Sequence, residues 1–172
     1  ELIFIDIMAN KENRCISSNY VQKIADECYT PFTVGGGISS LEQVSSLLRA
    51  GAEKVSINSA VINKPELITE IKNHFGSQSI IVSIDYYKNW FGKHIVLSNN
   101  GSKKINLNLL DWCREVSDLG AGEIMLNNIN FDGQMNGYDK EIISKISEEL
   151  PVPIIASCGA GNINHIKQIL NL

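Results

Sequence analysis

Six short apolar runs recur along this chain, and each is followed by a segment with helical spacing. The runs are LIFIDIM (2–8), PFTVGG (31–36), KVSINS (54–59), IIVSID (80–85), EIMLNN (123–128) and PIIAS (153–157). Between them lie SNYVQKIADECY, LEQVSSLLRAG, PELITEIKNHFG, NLLDWCREVSDLG and KEIISKISEEL, which carry apolar residues at helical intervals. Near-continuous apolar strands that alternate with amphipathic helices read as a parallel sheet covered by helices on its faces.

The runs also repeat at long range. ELIFIDI at 1–7 is echoed by EIMLNNI at 123–129, and PFTVGGG at 31–37 by PIIASCG at 153–159, both at an offset of 122 residues. Four strand–helix units fit inside that period. Doubling it gives eight units and about 245 residues, the size of a (β/α)8 TIM barrel. A doubly wound open sheet is the rival, but it predicts no repeat at half the chain. The expectation is an α/β fold with 1–172 as a single incomplete (β/α)8 barrel domain, covering about barrel strands two to seven. The chain opens at Glu1 directly on a strand and closes inside the helical pattern NINHIKQILNL, as a fragment of a longer protein would. One segment breaks the rhythm. YYKNWFGKHIVLSNNGSKKI reads as an inserted β-hairpin at about 87–105, turning at NNG.

Composition narrows the function classes. The chain is 44% apolar and 20% charged with a net charge of −4, an ordinary globular balance. Lys103-Lys104 is too short a basic run to bind nucleic acid. The apolar runs are of strand length, so none spans a membrane as a helix. Cys15, Cys28, Cys113 and Cys158 are far apart and form no CxxC pair, which reads as reduced thiols of a cytoplasmic protein. His74, His94 and His165 fall in helical or hairpin segments and read as surface residues. No pair among them has metal-ligand spacing, and no metal or cofactor is expected.

In a barrel of this kind the chemistry sits at the C-terminal ends of the strands. Those ends carry Asp6, Gly35 to Gly37, Asn58, Ser59, Asp85, Asn127, Asn128, Asp132, Ser157 and Gly159. Bare backbone N–H groups at a strand-to-helix glycine turn can surround an anion, and the helix dipole beyond the turn favours it. The turns at Gly37 and Gly159 lie half a period apart, which points to two phosphates on one elongated substrate. A tight turn that only needs positive φ, with Asn58 and Ser59 as plain helix caps, is the alternative. Asp85 ends its run with a carboxylate suited to general acid–base work, and Asp6 has the same placement. Helix capping or pairing with the hairpin is the alternative for both.

ELIFIDI, PFTVGGGI, GAEKVSINSAV, FGSQSIIVSID, LGAGEIMLNNINFDGQMNGYD and PIIASCGAGN together resemble the cyclase subunit family of imidazole glycerol phosphate synthase, over essentially the whole chain. The resemblance implies a barrel that takes ammonia from a glutaminase subunit, its heterodimer partner. The barrel combines that ammonia with a bisphosphorylated ribulosyl-formimino ribotide and uses no metal. It implies that Gly37, Asn58 and Ser59 hold one phosphate and Asp132, Gly133 and Gly159 the other. Asp85 matches one of two catalytic aspartates, and the position of the other falls outside this chain. Asp6, Asn127, Asn128 and Ser157 would line the substrate mouth. Glu1, Lys54 and Glu123 match the charged ring at the opposite end, where ammonia enters.

The chain also departs from that family. TSIDRDGT is usual there, and NNINFDGQ stands here, with Asn130 for an aspartate and Gln134 for a threonine. SGGAG becomes SCGAG through Cys158, and Met8 replaces a small hydroxyl residue. KNWFGK in the hairpin resembles a paralogous branch that helps install an acetamidino group on a surface-polysaccharide sugar. Three readings result: the histidine-pathway cyclase, that paralogue, and a non-catalytic ammonia conduit.

Overall fold

The computed structural model describes residues 1–99 and 101–171. The chain is organised as two compact units, Glu1–Val82 with Leu119–Gly122 and Ser83–Asp118 with Glu123–Leu172.

The first unit contains β1 (Leu2–Ile5), α1 (Ser18–Glu27), β2 (Phe32–Gly35), α2 (Leu41–Arg49), β3 (Lys54–Ile57), α3 (Ser59–Asn63) and α4 (Glu66–Phe75). The first residues of β4 (Ile80–Lys88) complete its sheet. Pairing is parallel and in chain order, with Leu2 opposite Phe32, Thr33 opposite Lys54 and Val55 opposite Ile80. Val34, Val55, Ile57, Ile80 and Val82 are buried, as both faces of a parallel sheet must be. Val44 and Leu47 of α2 and Leu67, Ile68 and Ile71 of α4 are buried as well, at spacings of one to four that put them on one face of each helix. Each fully buried aliphatic side chain contributes about 1.5–3 kcal/mol. The start of α2 is fixed just beyond the glycine turn. Ser40 Oγ accepts the Gln43 N–H at 3.4 Å, and Gln43 Oε1 accepts the Ser39 N–H at 2.8 Å.

The second unit takes up β4 from Ser83 and adds β5 (His94–Ser98), β6 (Lys103–Asn108), α5 (Leu109–Leu119), β7 (Glu123–Asn128), α6 (Lys140–Glu149), β8 (Ile154–Ser157) and α7 (Ile163–Leu170). β7 pairs with β4, and β8 lies parallel to β7 with Ile124 opposite Ile154. Ile84, Leu97, Leu109, Trp112, Cys113, Val116, Ile124, Leu126 and Ile146 form its core. Burial pushes the Cys113 thiol up to about 12, so it is an inert apolar filler.

All six apolar runs thus become strands, and their neighbours keep chain order, β1-β2-β3-β4-β7-β8. No reversal of order occurs among the described residues. This is the connectivity of a (β/α)8 barrel fragment, not of a doubly wound sheet.

Two elements differ from expectation. The strand at 2–8 stops at Ile5, because Asp6 turns the chain by taking backbone N–H groups onto its own carboxylate. The strands of the hairpin expected at about 87–105 span 94–108, and β4 itself runs on to Lys88 as a third antiparallel strand, with Asp85 opposite Leu97. The extension is due to Tyr86, which is buried and keeps the alternation of the strand going. Asn89 then makes the turn. Its Oδ1 accepts the N–H groups of Phe91 at 3.0 Å and Lys93 at 2.9 Å. Asn100, the middle residue of the NNG turn, lies outside the described residues.

Candidate active site

In the first unit the strand-end carboxylate of Asp6 is fully engaged. Its Oδ1 accepts the N–H groups of Met8 at 3.0 Å and Ala9 at 3.2 Å, and its Oδ2 meets Arg14 Nη1 at 2.6 Å. The Arg14 guanidinium holds the Asp6 carboxyl below the usual carboxylate range, against a smaller opposing effect of burial. The 7–16 loop that this pair organises packs onto the glycine turn. A Cβ on Gly37, whose φ is +63°, would stand 1.9 Å from the Arg14 carbonyl oxygen, and one on Gly36 2.7 Å from the Asp6 carbonyl oxygen. The chain's own backbone therefore demands glycine here, whatever else comes close. On the neighbouring strand Asn58 has φ −124° and ψ −99°, and Ser59 opens α3. Asn58 Oδ1 is buried and has no hydrogen-bond partner among the described residues.

At the other end of the same strands, Glu1 precedes β1 and Lys54 opens β3. Lys54 Nζ meets Glu1 Oε2 at 2.9 Å, and the buried Thr33 hydroxyl donates to Glu1 Oε1 at 2.9 Å. Burial raises the Glu1 carboxyl, and the bonds from Lys54 and Thr33 outweigh it, leaving it below its ordinary value. The sequence carries no signal for the role of Thr33, because the register that sets it opposite Lys54 appears only in the structure. Glu123 holds the equivalent first position of β7 in the second unit.

The second unit brings its candidates together. Asp85, half-buried, lies just beyond the β4 residues that pair with β3 and begins the antiparallel register with β5. Asn127 Nδ2 donates to Asp85 Oδ1 at 3.0 Å and to Ser83 Oγ at 2.8 Å. Ser157 stands opposite Asn127 in register. Beyond it Cys158 has φ +71° and Gly159 φ +100°, and a Cβ on Gly159 would be 2.1 Å from the Gly137 carbonyl oxygen. Burial pushes the Cys158 thiol up, and the Asp132 and Asp85 carboxylates push it the same way, so it is protonated and a poor nucleophile. Asp132 and Gly133 are exposed, and nothing lies within 4 Å of a Cβ placed on Gly133.

Adjacent strand residues face opposite ways, and Asn128 turns from its neighbour into the core. It is 2% exposed, and its Nδ2 donates to Asp139 Oδ2 at 3.0 Å. Asp139 Oδ2 also lies 3.3 Å from His94 Nε2, whose ring stands edge-on to Tyr86 at 5.7 Å. His94 is therefore not the surface residue its hairpin setting indicated; its side chain is only 14% exposed. Burial raises the Asp139 carboxyl, and the bond from His94 overcomes this and lowers it. Burial first, then the Asp139 charge, pushes the Tyr86 phenol well up. The partners lie too far apart in sequence for any local pattern to have linked them.

The second unit thus holds a carboxylate late in β4 that accepts from an amide of β7, and comparison with known proteins shows the family of the chain. The family model described as "Histidine biosynthesis protein" matches residues 1–172. The chain belongs to the histidine biosynthesis protein family. Proteins named imidazole glycerol phosphate synthase subunit HisF are similar to it throughout. One from Prochlorococcus marinus is 45% identical over 100% of this chain and 68% of its own length. Those from Flavobacterium johnsoniae and Bacillus cereus are 48% and 46% identical, over 96% and 98% of this chain and 65% and 67% of their own. The chain spans about two thirds of the length of these relatives.

The departures from the family pattern have visible consequences. Asn130 Oδ1 accepts the Lys88 N–H at 2.8 Å, so this residue ties the β7 loop to the end of β4. Cys158 puts a side chain on a left-handed backbone position where the family pattern has glycine. Gln134 and Met8 are exposed. No helix among the described residues is long and apolar enough to cross a membrane.

Proposed function

We propose that the whole protein is the cyclase subunit of imidazole glycerol phosphate synthase and works in the cytoplasm. It takes ammonia from a glutaminase subunit. It converts the bisphosphorylated ribulosyl-formimino ribotide to imidazole glycerol phosphate and aminoimidazole carboxamide ribotide. The observation that carries this reading is the Asp85 carboxylate. One oxygen is held by Asn127, and the other takes no hydrogen bond among the described residues. A fixed carboxylate with a free oxygen can take a proton from the incoming nitrogen and return it as the ring closes.

The phosphates fit the two glycine turns. Gly37, Asn58 and Ser59 serve one. The Asn58 amide carries two N–H donors on Nδ2, and its buried oxygen has no partner among the described residues. The Asp132–Gly133 loop and Gly159 serve the other, through backbone N–H groups, since the Asp132 carboxylate itself repels a phosphate. Glu1, Lys54 and Glu123, at the N-terminal ends of their strands, mark the ammonia entrance, and the glutaminase would dock there.

The left-handed Cys158 beside Ser157 favours a second reading, in which the acceptor is a nucleotide-linked sugar of the acetamidino-forming branch. A conduit without chemistry is that reading's limiting case. Assaying the whole protein with ammonium salt and the ribulosyl-formimino ribotide separates them. Turnover supports the cyclase; none, with glutaminase binding intact, supports the sugar branch.

A further inference from the structure

Asn127 has an unusual set of contacts for a residue at the mouth of a site. A carboxylate can only accept hydrogen bonds, so the amide must present Nδ2 to Asp85. That nitrogen carries two hydrogens. One goes to Asp85 Oδ1 at 3.0 Å, and the other to Ser83 Oγ at 2.8 Å. Ser83 and Asp85 are two apart on β4, so their side chains share one face of the strand. Ser83 is buried and Asn127 half-buried, and both stand on strands in the body of the sheet. The amide is therefore clamped between a fixed hydroxyl and the carboxylate. With its N–H groups spent in this way, Asn127 has no donor left for a substrate.

We infer that Asn127 is a positioning residue. It fixes the rotamer of Asp85 so that Oδ2 faces the reacting nitrogen, and Ser83 fixes Asn127 in turn. A threonine at this place, as in the family pattern TSIDRDGT, has one hydroxyl donor and could meet the second side chain only as an acceptor, whereas the Asn127 amide donates to both. The device is a property of this chain's NNINFDGQ sequence. The inference rests on the cyclase reading for the identity of the reaction, but not for the geometry of the clamp.

The test uses the whole protein with ammonium salt and the ribulosyl-formimino ribotide, and a crystal structure of each variant. Asn127→Ala should lower kcat by about 10- to 100-fold, the loss expected when a hydrogen bond to a charged group disappears, with KM within about threefold. Ser83→Ala, which leaves both partners in place, should lower kcat by roughly threefold to tenfold, and it guards against a folding defect in the first variant. In the Asn127→Ala structure the Asp85 side chain should leave its wild-type rotamer. An unchanged kcat overturns the inference. So does a raised KM at constant kcat, which would make Asn127 a substrate contact. If the wild-type protein does not turn over the ribotide, the cyclase reading fails by itself. The crystal structure then decides the clamp: a displaced Asp85 supports it, and an unmoved one overturns it.

Discussion

Asp6 and Asp85 are the same residue type at comparable places, one just after β1 and one late in β4, yet they are committed in opposite ways. Asp6 gives both oxygens to its own unit, one to two backbone N–H groups and the other to Arg14. Asp85 gives one oxygen to Asn127, and the other takes no hydrogen bond among the described residues. A strand-end carboxylate is thus not a site by virtue of position alone. Its neighbours decide whether it builds a loop or is left for chemistry: Arg14 and the loop backbone claim Asp6, and among the described residues the Asn127 amide alone claims Asp85.

The largest effect expected from attacking this contrast is in the Asp6 loop. Gly37→Ala would force a Cβ against the Arg14 carbonyl in a left-handed backbone. It should cost roughly 3 kcal/mol or more of stability, as strain and overpacking add. Chemical denaturation of the whole protein measures this, and a loss under about 1 kcal/mol would show that the loop does not pack as described.

The next effect concerns the buried partner of the second unit. Asp139→Asn keeps an oxygen that can accept from Asn128 and His94 but removes the carboxylate charge, and should cost about 2 kcal/mol at neutral pH. The native Asp139 carboxyl is lowered, so its contribution is present above the ordinary carboxylate value and lost as pH falls through the lower folded one. The gap between wild type and variant should therefore close below about pH 4. A gap that stays constant down to about pH 2 would mean that the carboxylate charge plays no part.

The smallest effect is at Cys158. Cys158→Gly relieves a left-handed backbone and should stabilise by about 1 kcal/mol or less, because the added flexibility of the unfolded chain offsets part of the relief. Destabilisation by more than that would show that the thiol packs usefully against Ser157.

The fold was legible because each strand is a continuous apolar run and needs no partner to be recognised. Val34, Ile57 and Ile81 are buried for the reason their neighbours in sequence indicate. Asp85 was legible too, as a carboxylate closing such a run. The commitments of side chains were not. Asp6 depends on Arg14 in a loop with no regular spacing, and His94 on Asp139, which lies far along the chain at the start of α6. The glycine triplet reads as a phosphate turn, yet the physical demand for Gly37 comes first from the Arg14 backbone, which no local pattern reveals. The extension of β4 to Lys88 was missed because Asp85 looked like a terminus, whereas Tyr86 continues the buried face.

The two aspartates can be compared in one measurement. Asp85→Asn and Asp6→Asn are made in the whole protein, and each is assayed for turnover of the ribulosyl-formimino ribotide with ammonium salt and for thermal stability. Asp85→Asn should lower kcat by about 100-fold or more with little change in Tm, since only proton transfer is lost. Asp6→Asn should leave kcat within about threefold and lower stability by about 1 kcal/mol, the scale of a partly exposed ion pair. Retained turnover in Asp85→Asn, or an equal loss of turnover in both variants, would contradict the division of roles between them.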